Sequence, residues 1–359
     1  MAAGDPIPVL DDIERVNTVD KRNMLRLIND LPEQFETSLG IARSFALKPA
    51  IESPDVVLII GVGDSAVAGD MASAIVASEI GVPFVSIHDG TLPAYVGAKS
   101  LVIVVDYVGR NVVTLSNYKS ALARGACVVC VTSGGKLLEA ATQDGIGIVK
   151  IPPGQPSRTA IGYQLAPLLF ILEQCGLVSG ASEGMSRAVK LMKSAREALR
   201  FENPTKRNLA KKAATELASR PIAVCATEGY SGVLADRWKS QIAANSKMPA
   251  MALRFPDAAE ADVCGWETEK CGSFGFVLLN DSDDRSVSAE QMLAFADIVC
   301  DCKRVVVELQ GGSVIEKMLY GVYFGDYFSY YLALLRGVNP SANQIPDEIE
   351  ARVSECSTV

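Results

Sequence analysis

The chain has 359 residues, of which 49% are hydrophobic and 21% charged, close to the average globular composition and far from disordered or collagen-like extremes. At roughly 150 residues per domain this length predicts two compact units. With 34 Lys and Arg against 42 Asp and Glu, the net charge of -8 supplies no general field for a polyanion, so nucleic-acid binding is not expected.

The first ten residues contain no basic stretch leading into an apolar run, so no signal peptide is predicted. A helical opening segment is expected over 19–46, with Leu25, Leu27, Ile28 and Leu31 at helical spacing. Short apolar runs then alternate with helical stretches. Strands are expected at 55–60, 83–87, 101–105, 126–131 and 146–151, and helices at 65–80 and 113–124. Continuous apolar strands separated by helices predict a parallel sheet covered on both faces, a doubly wound α/β unit. None of these runs approaches the roughly 20 apolar residues of a membrane span, and no membrane partner is expected.

Helices dominate 159–220, with breaks near 176–184 and at Pro204. The alternation restarts with strands at 221–226, 273–280 and 303–308 and helices at 229–245 and 286–300; helices at 313–335 and 345–353 close the chain. The expected organisation is an N-terminal helical segment over 1–45, a first domain over 46–200 and a second over 201–359. Such a duplication predicts a ligand cleft between the halves, at the carboxyl ends of the strands.

Nine cysteines lie mostly inside apolar runs, as reduced thiols packed as small hydrophobes do, and predict a cytoplasmic location. Cys127 and Cys130 have the spacing of half a zinc site, but no second pair follows, so neither metal nor cofactor is expected. His88 is the single histidine, which excludes mechanisms needing two, and no G-x-S-x-G elbow is present.

Gly61-Val62-Gly63-Asp64-Ser65 follows a buried strand and opens a helix, where backbone N–H groups face a ligand or simply a tight turn. Ala66 stands where a dinucleotide fingerprint needs its third glycine. Ser133-Gly134-Gly135 forms a second strand-end turn, and Arg158 stands alone before a helix, either solvated or poised for an anion.

Taken together, residues 61–70, 132–135 and 156–163, Trp238-Lys239-Ser240-Gln241 with Asn245 and Lys247, Gly265-Trp266, Gly325-Asp326-Tyr327 and 331–335 resemble the bifunctional phosphoglucose/phosphomannose isomerase family of tandem sugar-isomerase (SIS) domain proteins. The resemblance covers about residues 20–353. It implies two SIS domains, each a five-stranded parallel sheet flanked by helices, and a homodimer sharing its active site between subunits. It also implies interconversion of an aldose 6-phosphate and its 2-ketose through an enediol. That chemistry requires a carboxylate base, a ring-opening group, a cation for the enediolate and donors for the phosphate.

Arg158 matches the family's arginine and is the expected substrate contact. The other parts depart from the pattern. Ala244 stands where the family carries its glutamate base, Glu260 replaces its ring-opening histidine, Glu350 aligns with its C-terminal lysine, and its S-Y-S-G-N-T phosphate loop reads Asp106-Tyr107-Val108-Gly109-Arg110-Asn111. Asp106 is expected to repel a phosphate: like charges 4 Å apart cost about 1 kcal/mol in water and several at a partly buried site. Arg110 offers compensation if it turns back to the pocket, and is otherwise solvated.

The expected ligand is therefore a sugar derivative or sugar phosphate, with aldose–ketose activity weak or absent. Its expected contacts are Gly61, Gly63, Asp64, Ser65, Asp106, Arg110, Asn111, Ser133, Gly134, Gln241 and Asn245. Arg158 and Glu260 are the catalytic candidates. One alternative is an active isomerase using Glu260 as its carboxylate; another is a non-enzymatic regulatory or partner-binding subunit.

Overall fold

The five residues Val56–Ile60 (β1) are all buried, as are the six of Ser100–Val105 (β3), so both strands need neighbours on each side and cover on each face. Phe84–Ile87 (β2), Cys127–Thr132 (β4) and Gly147–Lys150 (β5) complete an all-parallel sheet of order β2-β1-β3-β4-β5. A second parallel sheet is built from Ile222–Thr227 (β6), Ala250–Phe255 (β7), Gly275–Asn280 (β8) and Arg304–Glu308 (β9), in the order β7-β6-β8-β9. These features come from a computed structural model that describes residues 8–47, 51, 53–267, 274–299 and 302–356.

The fold is thus α/β with two parallel sheets flanked by helices. Among the described residues the second sheet has four strands where five were expected. The reason lies just past β9: the chain turns at Gly311 and Gly312 and enters the 23-residue helix Val314–Arg336, leaving no segment for a fifth strand. Strand β7 was not foreseen. The opening segment, expected as one helix, comprises Ile13–Val19, Met24–Asn29 and Leu31–Arg43, interrupted at Asn23 (φ +55°) and again before Pro32.

The Val314–Arg336 helix is buried from Lys317 to Leu334 and forms the centre of the second half, as a helix apolar on every side must. It packs against the helix Tyr230–Ser246 at a point where Gly325 leaves room for an indole. A Cβ there would lie 2.4 Å from Trp238 Nε1. Trp238 stacks on Phe324 and Phe328 and donates from Nε1 to the Gly321 carbonyl at 2.9 Å. This close seam fixes the polar residues that neighbour Trp238 on its helix.

Cys130, Cys175, Cys225 and Cys264 are free thiols, while Cys302 is disulfide-bonded, a correction to the expectation of reduced cysteines. Burial pushes the Cys130 and Cys225 thiols up to about 12, so both are packed as neutral groups. Cys127 and Cys130 pack on opposite faces of their sheet, as an odd separation along a strand dictates, and do not form a common metal site. Among the described residues no helix is long and apolar enough to cross a membrane.

Candidate functional site

Three strand-end turns of the first sheet meet at its carboxyl edge. After β1, Gly61 lies against the Ser65 backbone and Gly63 (φ +59°) precedes the helix Asp64–Val76. The buried Ser65 hydroxyl donates to Gln164 Oε1 at 2.7 Å and accepts the Tyr107 N–H at 3.4 Å, so it ties this turn to the next.

That next turn follows β3 and carries its own anion. The buried Asp106 carboxylate accepts the backbone N–H of Gly109 at 2.9 Å through Oδ1 and that of Asn111 at 2.8 Å through Oδ2. Asn111 caps the helix Val112–Ala123, its Oδ1 accepting Thr114 N at 3.0 Å. After β4, the Ser133 hydroxyl donates to the Tyr107 carbonyl at 2.6 Å. Gly109 adopts φ +73°, and a Cβ there would come 1.8 Å from the Gly134 carbonyl oxygen; only glycine lets the two turns touch. The Gly109 and Asn111 amides and the Ser133 hydroxyl are thereby engaged within the chain. Arg110 is exposed and makes no ion pair among the described residues.

Arg158 lies in the single turn Ser157–Thr159 and is buried, not solvated. Its Nε donates to Asn245 Oδ1 at 3.0 Å, Nη1 to Asn343 Oδ1 at 3.2 Å and Nη2 to the Pro340 carbonyl at 2.7 Å. Asn245 donates in turn to Gln241 Oε1 at 3.3 Å and Ser329 Oγ at 3.0 Å. Gln241 and Asn245 follow Arg237 at i+4 and i+8, so all three share one buried helix face. Arg237 meets Asp326 through 2.9 and 3.0 Å hydrogen bonds.

The halves therefore join through a polar cluster of the buried Arg158, Arg237 and Asp326 with the half-buried Asp64. Burial raises the Asp64 and Asp326 carboxyls above the usual carboxylate range, against the lowering pull of both arginines. Burial lowers the Arg158 guanidinium, against the attraction of Asp64 and Asp326.

The sequence brought Arg158, Gln241, Asn245 and Asp64 to this cluster but not Arg237. Asp326 was part of a motif without an assigned role. A signal for both existed: Asp326 is a charge inside the long apolar run 318–335, and Arg237 shares the spacing of Gln241 and Asn245. Ala244 lies on the wall of a pocket of about 670 Å³, with Lys247, Met248, Asn343, Ile345 and Pro346. Burial and the nearby Arg158 charge bring the Lys247 amine down to about 8, and its Nζ donates to the Ala244 and Ala342 carbonyls. Glu260 ends the short helix Asp257–Glu260, is exposed, and joins none of these residues. The side chain of Glu350 lies outside the described residues.

Two parallel sheets flanked by helices and joined across the buried Arg158 have the architecture of a tandem SIS-domain protein. Residues 206–352 match the bacterial phospho-glucose isomerase C-terminal SIS domain. The chain is 33% identical to a bifunctional phosphoglucose/phosphomannose isomerase of Caldicellulosiruptor bescii, over 92% of this chain and 99% of that protein. It is 29% identical to the Aquifex aeolicus protein of the same name, over 83% and 89% respectively. A Thermus thermophilus structure described as a hypothetical protein shares the fold, with a TM-score of 0.76 at 16% identity, covering 96% of this chain and 93% of that one. The chain belongs to the bifunctional phosphoglucose/phosphomannose isomerase family.

Proposed function

We propose that this protein binds a sugar phosphate or related carbohydrate derivative where its two halves meet, beside Arg158, and that its aldose–ketose isomerase activity is weak or absent. The observation that carries the reading is the Asp106 carboxylate seated on the Gly109 and Asn111 amides. A phosphate entering this turn must displace a carboxylate of its own sign and then remain beside it. The reaction also lacks its base at position 244, where a methyl group borders the pocket. Arg158 already has three acceptors inside the chain.

Coupled assays with glucose 6-phosphate and mannose 6-phosphate test this, with the Caldicellulosiruptor bescii relative as control. The expected turnover is lower by about 10²–10⁴-fold, the usual worth of a general base. Turnover equal to the control's would overturn the reading. Exposure of Glu260 favours one rival: a carboxylate with no partner among the described residues is available to a second copy. Under that rival, turnover is present, disappears in Glu260→Ala, and accompanies a dimer in light scattering. The cytoplasmic location and the pairing of two copies belong to the proposal on the strength of the family.

A further inference from the structure

A cavity of about 440 Å³ separates the two halves, and none of the site residues expected from the sequence lines it. Its walls reflect the internal duplication. Val67 and Asp70 stand four and seven positions beyond Gly63, which caps the first half's helix; Val233 and Asp236 stand four and seven beyond Gly229, which caps its counterpart. All four side chains face the cavity, because these spacings return to one side of a helix.

Each of the two aspartates meets a basic group from the strand that flanks the first strand of its own sheet. His88 Nε2, just past β2, lies 2.9 Å from Asp70 Oδ1 and 3.2 Å from Ser86 Oγ. Arg254, on β7, lies 3.5 Å from Asp236 Oδ2 and 3.4 Å from Glu228 Oε1. Lys239 also reaches Asp236, at 3.2 Å. Arg237 closes one wall, its charge matched by Asp326. Arg254 and Lys239 offset Glu228 and Asp236, Asp326 offsets Arg237, and Asp70 is held by the His88 imidazole, so the wall carries little net charge to attract an ion. Hydroxyl groups suit such a wall better: each donates to a carboxylate lone pair and accepts from a guanidinium N–H.

We propose that this cavity is a second binding site, for a neutral polyhydroxy compound with adjacent hydroxyls, gripped by the Asp70–His88 and Asp236–Arg254 pairs, one from each half of the duplication. The volume falls in the range of small-molecule sites. The site shares Arg237 with the cluster around Arg158 but none of the residues on which the reading above rests, and neither depends on the other.

The test is saturation-transfer NMR and titration calorimetry with sorbitol and D-glucose, with glucose 6-phosphate as the charged comparison. The unphosphorylated compounds are expected to bind the full-length protein, and Ser73→Trp, which fills the cavity, to abolish the signal. Asp236→Asn, which preserves volume, is expected to weaken binding about tenfold, the cost of losing a hydrogen bond to a charged group. Circular dichroism checks both folds, and Asp236→Asn decides if Ser73→Trp does not fold. Any of three results overturns the proposal: no transfer to either neutral compound, binding unchanged in Asp236→Asn, or tighter Ser73→Trp-sensitive binding of glucose 6-phosphate than of glucose. The isomerase assays read other residues, so failure here leaves their outcome untouched.

Discussion

Arg237 and Asp326 are joined by two hydrogen bonds from one guanidinium nitrogen to both carboxylate oxygens, 2.9 and 3.0 Å long, with the two residues only 2% and 6% exposed. A buried charge left alone costs far more than the pair contributes. Asp326→Ala is therefore expected to lower stability by about 3–5 kcal/mol, read from the urea midpoint. The double variant Arg237→Met with Asp326→Leu should recover most of that loss, because neither charge remains to be desolvated.

The Asp106 turn makes a prediction of opposite sign for binding. Replacing Asp106 and Val108 by serine frees the Gly109 and Asn111 amides and removes the repelling charge. Calorimetry should show glucose 6-phosphate binding at least about tenfold tighter than to the unaltered protein, equivalent to about 1.4 kcal/mol. The single change Asp106→Ala should destabilise the fold by about 1–3 kcal/mol, since the turn's amides lose their acceptor. Unchanged affinity in the double variant would show that the carboxylate does not hold the phosphate out.

Ala244→Glu alone is expected to add no measurable isomerase turnover, because Asp106 still occupies the turn after β3 that the proposal assigns to phosphate. Combined with the two serine substitutions it should raise turnover of glucose 6-phosphate above that of any single change. A coupled assay on the four proteins measures the non-additivity.

Gly325→Ala would place a Cβ 2.4 Å from Trp238 Nε1. Neither helix can retreat without opening the Trp238, Phe324 and Phe328 stack. The expected loss is about 1–3 kcal/mol, the usual range for overpacking, seen as a lower thermal midpoint.

Lys247 carries a pH prediction. Its folded value of about 8 lies below the ordinary 10.5, chiefly through burial and secondarily through the Arg158 charge. Between those two values the unfolded chain binds more protons than the folded one, so this group's contribution becomes more favourable as pH rises from about 8 to 10.5. Urea midpoints of the unaltered protein should therefore gain on those of Lys247→Met across that window. A constant difference would place the amine in ordinary solvent.

The two halves were legible because their central strands are continuous runs such as Val56–Ile60, which burial on both faces demands. Strand β7 escaped notice because Ala250–Phe255 is an edge strand with exposed Met251 and Arg254 and no β-branched residue. Asp106 was read as a repelling charge; its carboxylate proves to be the turn's own acceptor, a role that depends on backbone geometry two turns deep. Arg158 was recognised as a cation but not as a buried one, since its partners Asn245, Asn343 and the Pro340 carbonyl are remote in the chain.

What the sequence determined by itself was local or periodic: the apolar strands, the glycine turns and the family pattern. Tertiary structure alone decided which charges meet. Asp64 belongs to the first half and Arg237 and Asp326 to the second, and only the packing of the two halves brings them into one cluster. The same packing sets Asp70 with His88 across from Asp236 with Arg254. Electrostatic partnership falls off with distance in space, not along the chain, so no reading in chain order yields it.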